Sequence, residues 1–261
     1  MPKLQLNKIE LHYEISGKGQ PLLFIHGLGS SSRDWEQQVS YFSKDYRVIT
    51  FDVRGHGLSD KPPGPYSIQL FSNDTSDLIT SLDLSPVHIV GISMGGMIAF
   101  QLAVNSPESL KSMTIVNSAP EMAAHSLKDR LQIFQRLMVF RLFSMRKIGQ
   151  VIAGKLFPNA DQQELRSMMI ERWAQNDKRA YMDSFKALLG WTVMEHIKNI
   201  QLPTLVIAAD QDYTPVSLKE SYVSKMPNAQ LKVIKNSRHA TPIDQPEEFN
   251  TALASFLSKQ G

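Results

Sequence analysis

The residues Gly91-Ile92-Ser93-Met94-Gly95-Gly96 carry the strongest chemical signal in the chain. The apolar run Val87–Val90 precedes them, and a helical pattern at Met97, Phe100 and Leu102 follows. A G-x-S-x-G at a strand-to-helix turn forces a strained bend that exposes the serine hydroxyl. Small residues flank it because strand and helix backbones crowd there. The helix N-terminus beneath the serine favours developing negative charge. A serine in a glycine turn is often only a cap, but strand, turn and helix together point to a nucleophile at Ser93. Such a hydroxyl needs a base. Of seven histidines, His26 and His56 sit in glycine turns, His12 and His88 in strand patterns, and His125 and His196 near the ends of a helical segment. His239 lies in Asn236-Ser237-Arg238-His239-Ala240-Thr241-Pro242, after the last strand pattern and before the terminal helix. That loop opens at the carboxyl end of a strand, the edge where Ser93 sits and where ligands bind in such sheets. His239 is therefore the best-placed base.

A base of this kind needs a carboxylate to hold its tautomer and stabilise the imidazolium. The run Val206–Ala209 ends in Asp210-Gln211-Asp212-Tyr213-Thr214-Pro215, which offers two carboxylates. Asp212 stands further into the loop, where it can reach the next one. Asp210 is closer to the strand and is expected to brace the turn. The position after Val116 holds Asn117, which cannot ionise. An oxyanion needs two preorganised donors. One is the N–H of Met94, just after the serine. The other is expected from His26-Gly27-Leu28-Gly29, through the N–H of Leu28.

The elements that must position these groups are legible as alternating patterns. Leu4 and Leu6, then Ile9, Leu11, Tyr13 and Ile15, alternate with polar residues about a turn near Asn7-Lys8, predicting an antiparallel hairpin. Apolar runs follow at Leu22–Ile25, Val48–Phe51, Val87–Val90, Met113–Val116, Leu205–Ala208 and Leu231–Ile234. Amphipathic stretches separate them at 35–42, 68–82, 94–104, 217–226 and 247–257. Strands alternating with helices predict an α/β fold: a mostly parallel sheet with helices on both faces. The alternation stops between about Pro120 and Leu202, where only helical patterns occur. The expected division is a core of residues 1–119 and 203–261, with a helical cap of 120–202 over the carboxyl edge of the sheet.

Composition excludes several classes. The 261 residues are 42% hydrophobic and 20% charged, as in an ordinary globular chain. There is no cysteine, so disulfides and thiolate chemistry are excluded. The start, Met1-Pro2-Lys3, leads into a polar alternating stretch, so a secretory leader is not expected. No run approaches the ~18 apolar residues of a membrane span, and a cytoplasmic location is the default. Residues 121–200 hold 13 Lys and Arg against 8 Asp and Glu, too weak and mixed an excess for nucleic acid. The basic, amphipathic segment Leu127–Ile148 could touch a membrane surface, but a lid helix facing its own domain is expected. Residues 121–200 also contain seven of the twelve methionines, which with Phe134, Phe143, Phe185 and Trp191 are candidates for core between the cap helices or for an acyl pocket.

Together these pieces resemble the α/β-hydrolase superfamily, specifically its capped serine esterase and enol-lactonase branch. The matching segments are His26–Gly29, Asp52-Val53-Arg54-Gly55-His56-Gly57-Leu58-Ser59, the Ser93 turn, the Asp212 turn, and His239 followed by Pro246-Glu247-Glu248-Phe249. The resemblance implies a Ser93, Asp212 and His239 triad with no metal or organic cofactor, and a structural role for His56. Where the family often has Gly, this chain has Ala209. Relatives that are dehalogenases or epoxide hydrolases carry Asp at the turn; here it is Ser93, which points to acyl transfer. The leading reading is a hydrolase of small to medium, fairly apolar esters. Enol-lactonase, thioesterase and C–C bond hydrolase activities use the same chemistry. A slow-turnover ligand receptor is a second class. A dinucleotide-binding oxidoreductase is a weaker third, because Gly27-Leu28-Gly29-Ser30-Ser31-Ser32 lacks the third glycine of that fingerprint.

Overall fold

The computed structural model describes residues 3–6, 8–124 and 126–260. Met1, Pro2, the Asn7 half of the expected hairpin turn, and His125 lie outside the described residues. In chain order the elements are β1 (Lys3–Leu6), β2 (Ile9–Ser16), β3 (Gln20–Ile25), α1 (Glu36–Phe42), β4 (Tyr46–Phe51), α2 (Ile68–Ser81), β5 (Val87–Ile92), α3 (Met94–Asn105) and β6 (Leu110–Val116). After β6 come α4 (Leu127–Leu142), α5 (Met145–Leu156), α6 (Gln163–Ala174) and α7 (Lys178–Leu188). The chain then returns to the sheet with β7 (Thr204–Ala209), α8 (Val216–Val223), β8 (Ala229–Ile234), α9 (Thr241–Asp244) and α10 (Pro246–Leu257).

The eight strands form one sheet in the order β1-β2-β4-β3-β5-β6-β7-β8. β2 pairs antiparallel with β1 and β4, and the remaining pairs are parallel. The apolar runs form the buried parallel strands because both faces of the sheet are covered. One face packs against α2, α3 and α8 through residues such as Phe71, Ile98, Phe100 and Tyr222. The other packs against α1 and α10 through Trp35, Phe42, Phe249 and Phe256. In register, Ile92 lies beside Val116, Val116 beside Ile207, and Ala209 beside Ile234. The carboxyl ends of β5, β6, β7 and β8 therefore open onto one edge.

Helices α4 to α7 build a separate apolar cluster of Phe140, Met145, Met169, Trp173, Tyr181 and Phe185, which also takes in Ala240 and Ile243 beyond β8. Polar contacts tie it to the sheet domain. Arg172 donates to the Arg33 carbonyl and to the carboxylates of Asp34 and Glu36. Arg179 donates to the carbonyls of Lys61 and Pro62.

One expectation holds only in part: α4 turns one apolar stripe toward its neighbours and leaves a second one exposed. Phe140 alone is buried along its length, whereas Leu127 is 82% and Phe134 59% exposed. The helix carries two apolar stripes. Ile133, Leu137 and Phe140 turn inward, while Leu127, Leu131, Phe134, Met138 and Leu142 turn outward. A helix packed on one side covers only one of them. Arg136, with its guanidinium over the Phe140 and Phe185 rings, covers part of the inner cluster. Phe143 is also exposed, and Trp191 donates its indole N–H to Gln101 on α3. Of the four aromatics singled out, only Phe185 joins the cluster between the helices.

Phe185→Ala should therefore cost about 3–5 kcal/mol in urea unfolding. Phe134→Ala on the outer stripe should change stability by less than about 0.5 kcal/mol.

Candidate active site

Ser93 occupies the single position between β5 and α3 and adopts φ 54°, ψ −116°. Few L-residues tolerate that conformation, and it survives only where surroundings over-determine it. Two glycines show how. A Cβ on Gly91 would lie 2.2 Å from the Gly95 carbonyl oxygen, and one on Gly95 would lie 2.2 Å from the Ile25 carbonyl oxygen. The start of α3 is thus pressed onto β5 and onto the end of β3. The carbonyl of Ser93 accepts hydrogen bonds from the N–H groups of Gly96 and Met97 and from the Ser118 hydroxyl at 2.7 Å.

The loop after β3 packs on this turn. A Cβ at Gly27 would meet the Ser93 Cβ at 3.4 Å, so Leu28 follows directly beside the candidate nucleophile. The next residue, Gly29, is wedged against Trp173 and Tyr181 of α6 and α7, and its carbonyl accepts from the Asn176 amide at 2.8 Å. Met94 is the first residue of α3. N–H groups in the first turn of a helix have no partner within it and point out of its end.

Asp212 and His239 come together across two loops. The imidazole Nδ1 lies 2.7 Å from Asp212 Oδ1, with the Asp212 side chain fully buried. Tyr213 stacks on the imidazole, ring centroids 4.1 Å apart. Tyr213 N–H donates to Asp212 Oδ1 at 2.8 Å, and the Thr214 hydroxyl donates to Oδ2 at 2.6 Å. Burial opposes ionisation of Asp212. The hydrogen bond and charge of His239, joined by the Lys219 ammonium, outweigh it and hold the carboxyl well below the usual carboxylate range. Asp210, expected to brace its own turn, instead reaches the next loop: its Oδ1 accepts the Ser237 N–H at 3.2 Å at the start of the histidine loop. Ala209, in place of a glycine, sits buried in regular strand at the end of β7.

Asn117, dismissed in the sequence as a residue unable to ionise, turns out to organise the site. It adopts φ 45° and is buried. Its amide donates to the carbonyls of Arg238 and His239 at 3.2 and 2.9 Å and to the Thr241 hydroxyl at 2.8 Å. Its oxygen accepts the Ala209 N–H at 2.8 Å. One side chain thus joins β6, β7 and the histidine loop, while the adjacent Ser118 holds the serine turn. Spacing alone offered no sign of this, because the bonds run to backbone groups far away in the chain.

His26 and His56 are fully buried behind the site. His26 Nε2 accepts the Val53 N–H at 2.9 Å. Burial, reinforced by neighbouring His26, pushes His56 down to about 3. Asp52 accepts N–H groups of Ser32 and Leu58, each at 2.7 Å, so the Asp52–Ser59 turn ties neighbouring loops together.

The strained Ser93 turn stands at the end of β5 and the Asp212–His239 pair in the loops after β7 and β8, and comparison with known proteins is decisive for the family. The model describing the alpha/beta hydrolase fold matches residues 20–246. The chain belongs to the α/β-hydrolase fold family. It is 29% identical over 263 residues to 3-oxoadipate enol-lactonase 2 of Acinetobacter baylyi, covering 98% of this chain and 96% of the relative. It is 28% identical over 267 residues to (E)-2-((N-methylformamido)methylene)succinate hydrolase of the same bacterium, covering 97% of each. Among solved structures, the enol-lactonase from Burkholderia xenovorans LB400 superposes with a TM-score of 0.90 at 24% identity, covering 98% of this chain and 100% of that one, a likeness of fold. In this α/β-hydrolase-fold protein, no helix among the described residues is long and apolar enough to cross a membrane.

Asn117→Ala should cost about 2–4 kcal/mol in chemical unfolding, because it strands backbone groups of β7 and of the histidine loop. The pH dependence of Asp212 has a definite sign. Its folded value is lowered, so the stability it contributes is complete above the unfolded value of ~4 and is lost as pH falls toward the folded value. Wild type should accordingly lose part of its stability margin over Asp212→Asn as unfolding is measured from about pH 7 down to about pH 3.

Proposed function

We propose that this protein is a serine hydrolase that cleaves carboxylic esters of small to medium, apolar substrates through an acyl-enzyme. The observation that carries the reading is the Asp212–His239 hydrogen bond of 2.7 Å on the same sheet edge as the strained Ser93 turn. Ser93 Oγ attacks the ester carbonyl carbon, and His239 Nε2 takes the hydroxyl proton. Asp212 holds Nδ1–H and stabilises the imidazolium that forms. The N–H groups of Leu28 and Met94 receive the negative charge on the carbonyl oxygen. Collapse of the tetrahedral intermediate breaks the C–O bond, and the imidazolium returns its proton to the leaving alcohol. Water, deprotonated by His239, then attacks the acyl carbonyl, and the acid leaves with Ser93 restored. The chemistry uses side chains and backbone amides alone, with no metal or organic cofactor.

Residues 120–202 form a cap over a core of 1–119 and 203–261 in this reading. The cluster joining Phe140, Trp173, Tyr181 and Phe185 to Ala240, with Leu28 packed against it, supports an apolar acyl site beneath the cap. The contact of Gly29 with Trp173 and Tyr181 couples the oxyanion loop to that site. A lactone is an internal ester, so an enol-lactone is the second substrate reading, favoured by the 29% identity to 3-oxoadipate enol-lactonase 2.

Against a panel of p-nitrophenyl esters and enol-lactones, Ser93→Ala should abolish turnover, losing about 10⁴-fold or more in kcat. Unchanged turnover would overturn the mechanism. Asp212→Asn should lose about 10⁴-fold, while Asp210→Asn keeps most of its rate. In wild type, kcat/KM should fall on acidification, because a protonated imidazole cannot accept the serine proton. A flat profile would count against His239.

A further inference from the structure

Lys219 is a lysine with no exposed surface, although its place in Val216-Ser217-Leu218-Lys219-Glu220 on α8 reads as an ordinary helix surface. Burying an ammonium is costly unless it is paired and fully hydrogen-bonded. Here each proton has an acceptor: Asp212 Oδ2 at 2.7 Å, the Thr214 carbonyl at 2.7 Å, and the Thr214 hydroxyl oxygen. The Thr214 hydroxyl donates its own hydrogen bond to the same Oδ2. The carboxylate is thereby divided: Oδ2 is held by Lys219 and Thr214, and Oδ1 by His239 and the Tyr213 N–H.

We propose that Lys219 is a positioning residue of the candidate triad, acting through Asp212: it fixes the rotation of the carboxylate so that Oδ1 meets His239, and its permanent charge opposes the build-up of imidazolium on the carboxylate's other side. The inference rests on the Ser93–His239–Asp212 reading and adds a charged fourth member. The resting cluster of carboxylate and ammonium is neutral. When His239 takes the serine proton, it becomes a second cation on a carboxylate already paired with one. That makes the imidazolium a readier donor to the leaving group. Asp212 and Tyr213 are the titratable groups in contact with the imidazole. Around them, the charge of Asp212 is felt by Tyr222 of α8, and the Arg136 guanidinium of α4 acts on Tyr213. The Tyr222 hydroxyl donates to the Ser118 carbonyl, and burial pushes it upward, so it stays neutral through the working range.

The test is the pH dependence of Lys219→Met, which keeps the length and removes the charge. The acid limb of its kcat/KM profile for p-nitrophenyl butyrate should move up by about one pH unit relative to wild type. KM should stay within about twofold, since the buried ammonium does not reach substrate. A variant that is merely loosened would lose rate at every pH with the limb in place, and that result would overturn the proposal. If Lys219→Met does not fold, Lys219→Gln, which retains a donor for Oδ2 but no charge, carries the same expectation. Wild type supplies a further readout that needs neither folding of a variant nor turnover. In ¹H–¹⁵N spectra the Lys219 ammonium should be protected from exchange and should shift as His239 titrates; a freely exchanging or unresponsive signal would overturn the coupling. Because the NMR readout does not depend on Ser93, active Ser93→Ala would sink the hydrolytic reading and leave the coupling separately measurable.

Discussion

The close approach of two backbones at Gly91 and Gly95 is the constraint on which the site depends. A methyl group at either position would sit about 2 Å from a carbonyl oxygen, well inside contact distance. With hydrogen in its place, α3 begins directly on β5 and against the end of β3. Ser93 is left with a positive φ because no relaxed conformation joins a strand to a helix set so close. The same approach seats the Gly27–Leu28 loop beside the serine. The strain, the place of the half-buried serine and the neighbouring amides are consequences of one steric fact.

The second half of the site depends on register. The parallel pairing brings the ends of β5, β6, β7 and β8 level, so four loops meet without any of them being long. Asn117 and Asp210 then fasten these loops with hydrogen bonds to backbone groups. Each bond satisfies a buried donor or acceptor as it positions a side chain, which is why polar residues lie at the centre of an otherwise apolar edge. Asp212 is the most heavily committed of them. It is buried, ionised and shared between an imidazole and an ammonium.

The helices between β6 and β7 follow a different logic. Their inner faces build an aromatic cluster around Phe140, Trp173, Tyr181 and Phe185, and Arg172 and Arg179 hold them to loops of the sheet domain. Among the described residues, the outer stripe of α4 has no such cover. Amphipathic spacing at Leu127, Leu131 and Phe134 correctly signals a helix, but periodicity does not say which stripe is buried when a helix carries two.

Family, the alternation of strands and helices, and the serine turn were legible because each rests on short-range chemistry: alternation of apolar runs, glycines at fixed offsets, a helix starting where a strand stops. His239 and Asp212 were legible as loop residues at strand ends, since the fold class implies which edge those loops share. The sequence by itself therefore determined the α/β architecture, the position of the strained turn and the candidate acid and base. Tertiary structure alone decided that Asp210 braces a loop, that Asn117 clips three segments, that α4 shows an apolar face, and that Lys219 is buried against Asp212. Burial of a charge and the choice of a distant backbone partner are set by packing between elements, and no local pattern of residue types encodes them.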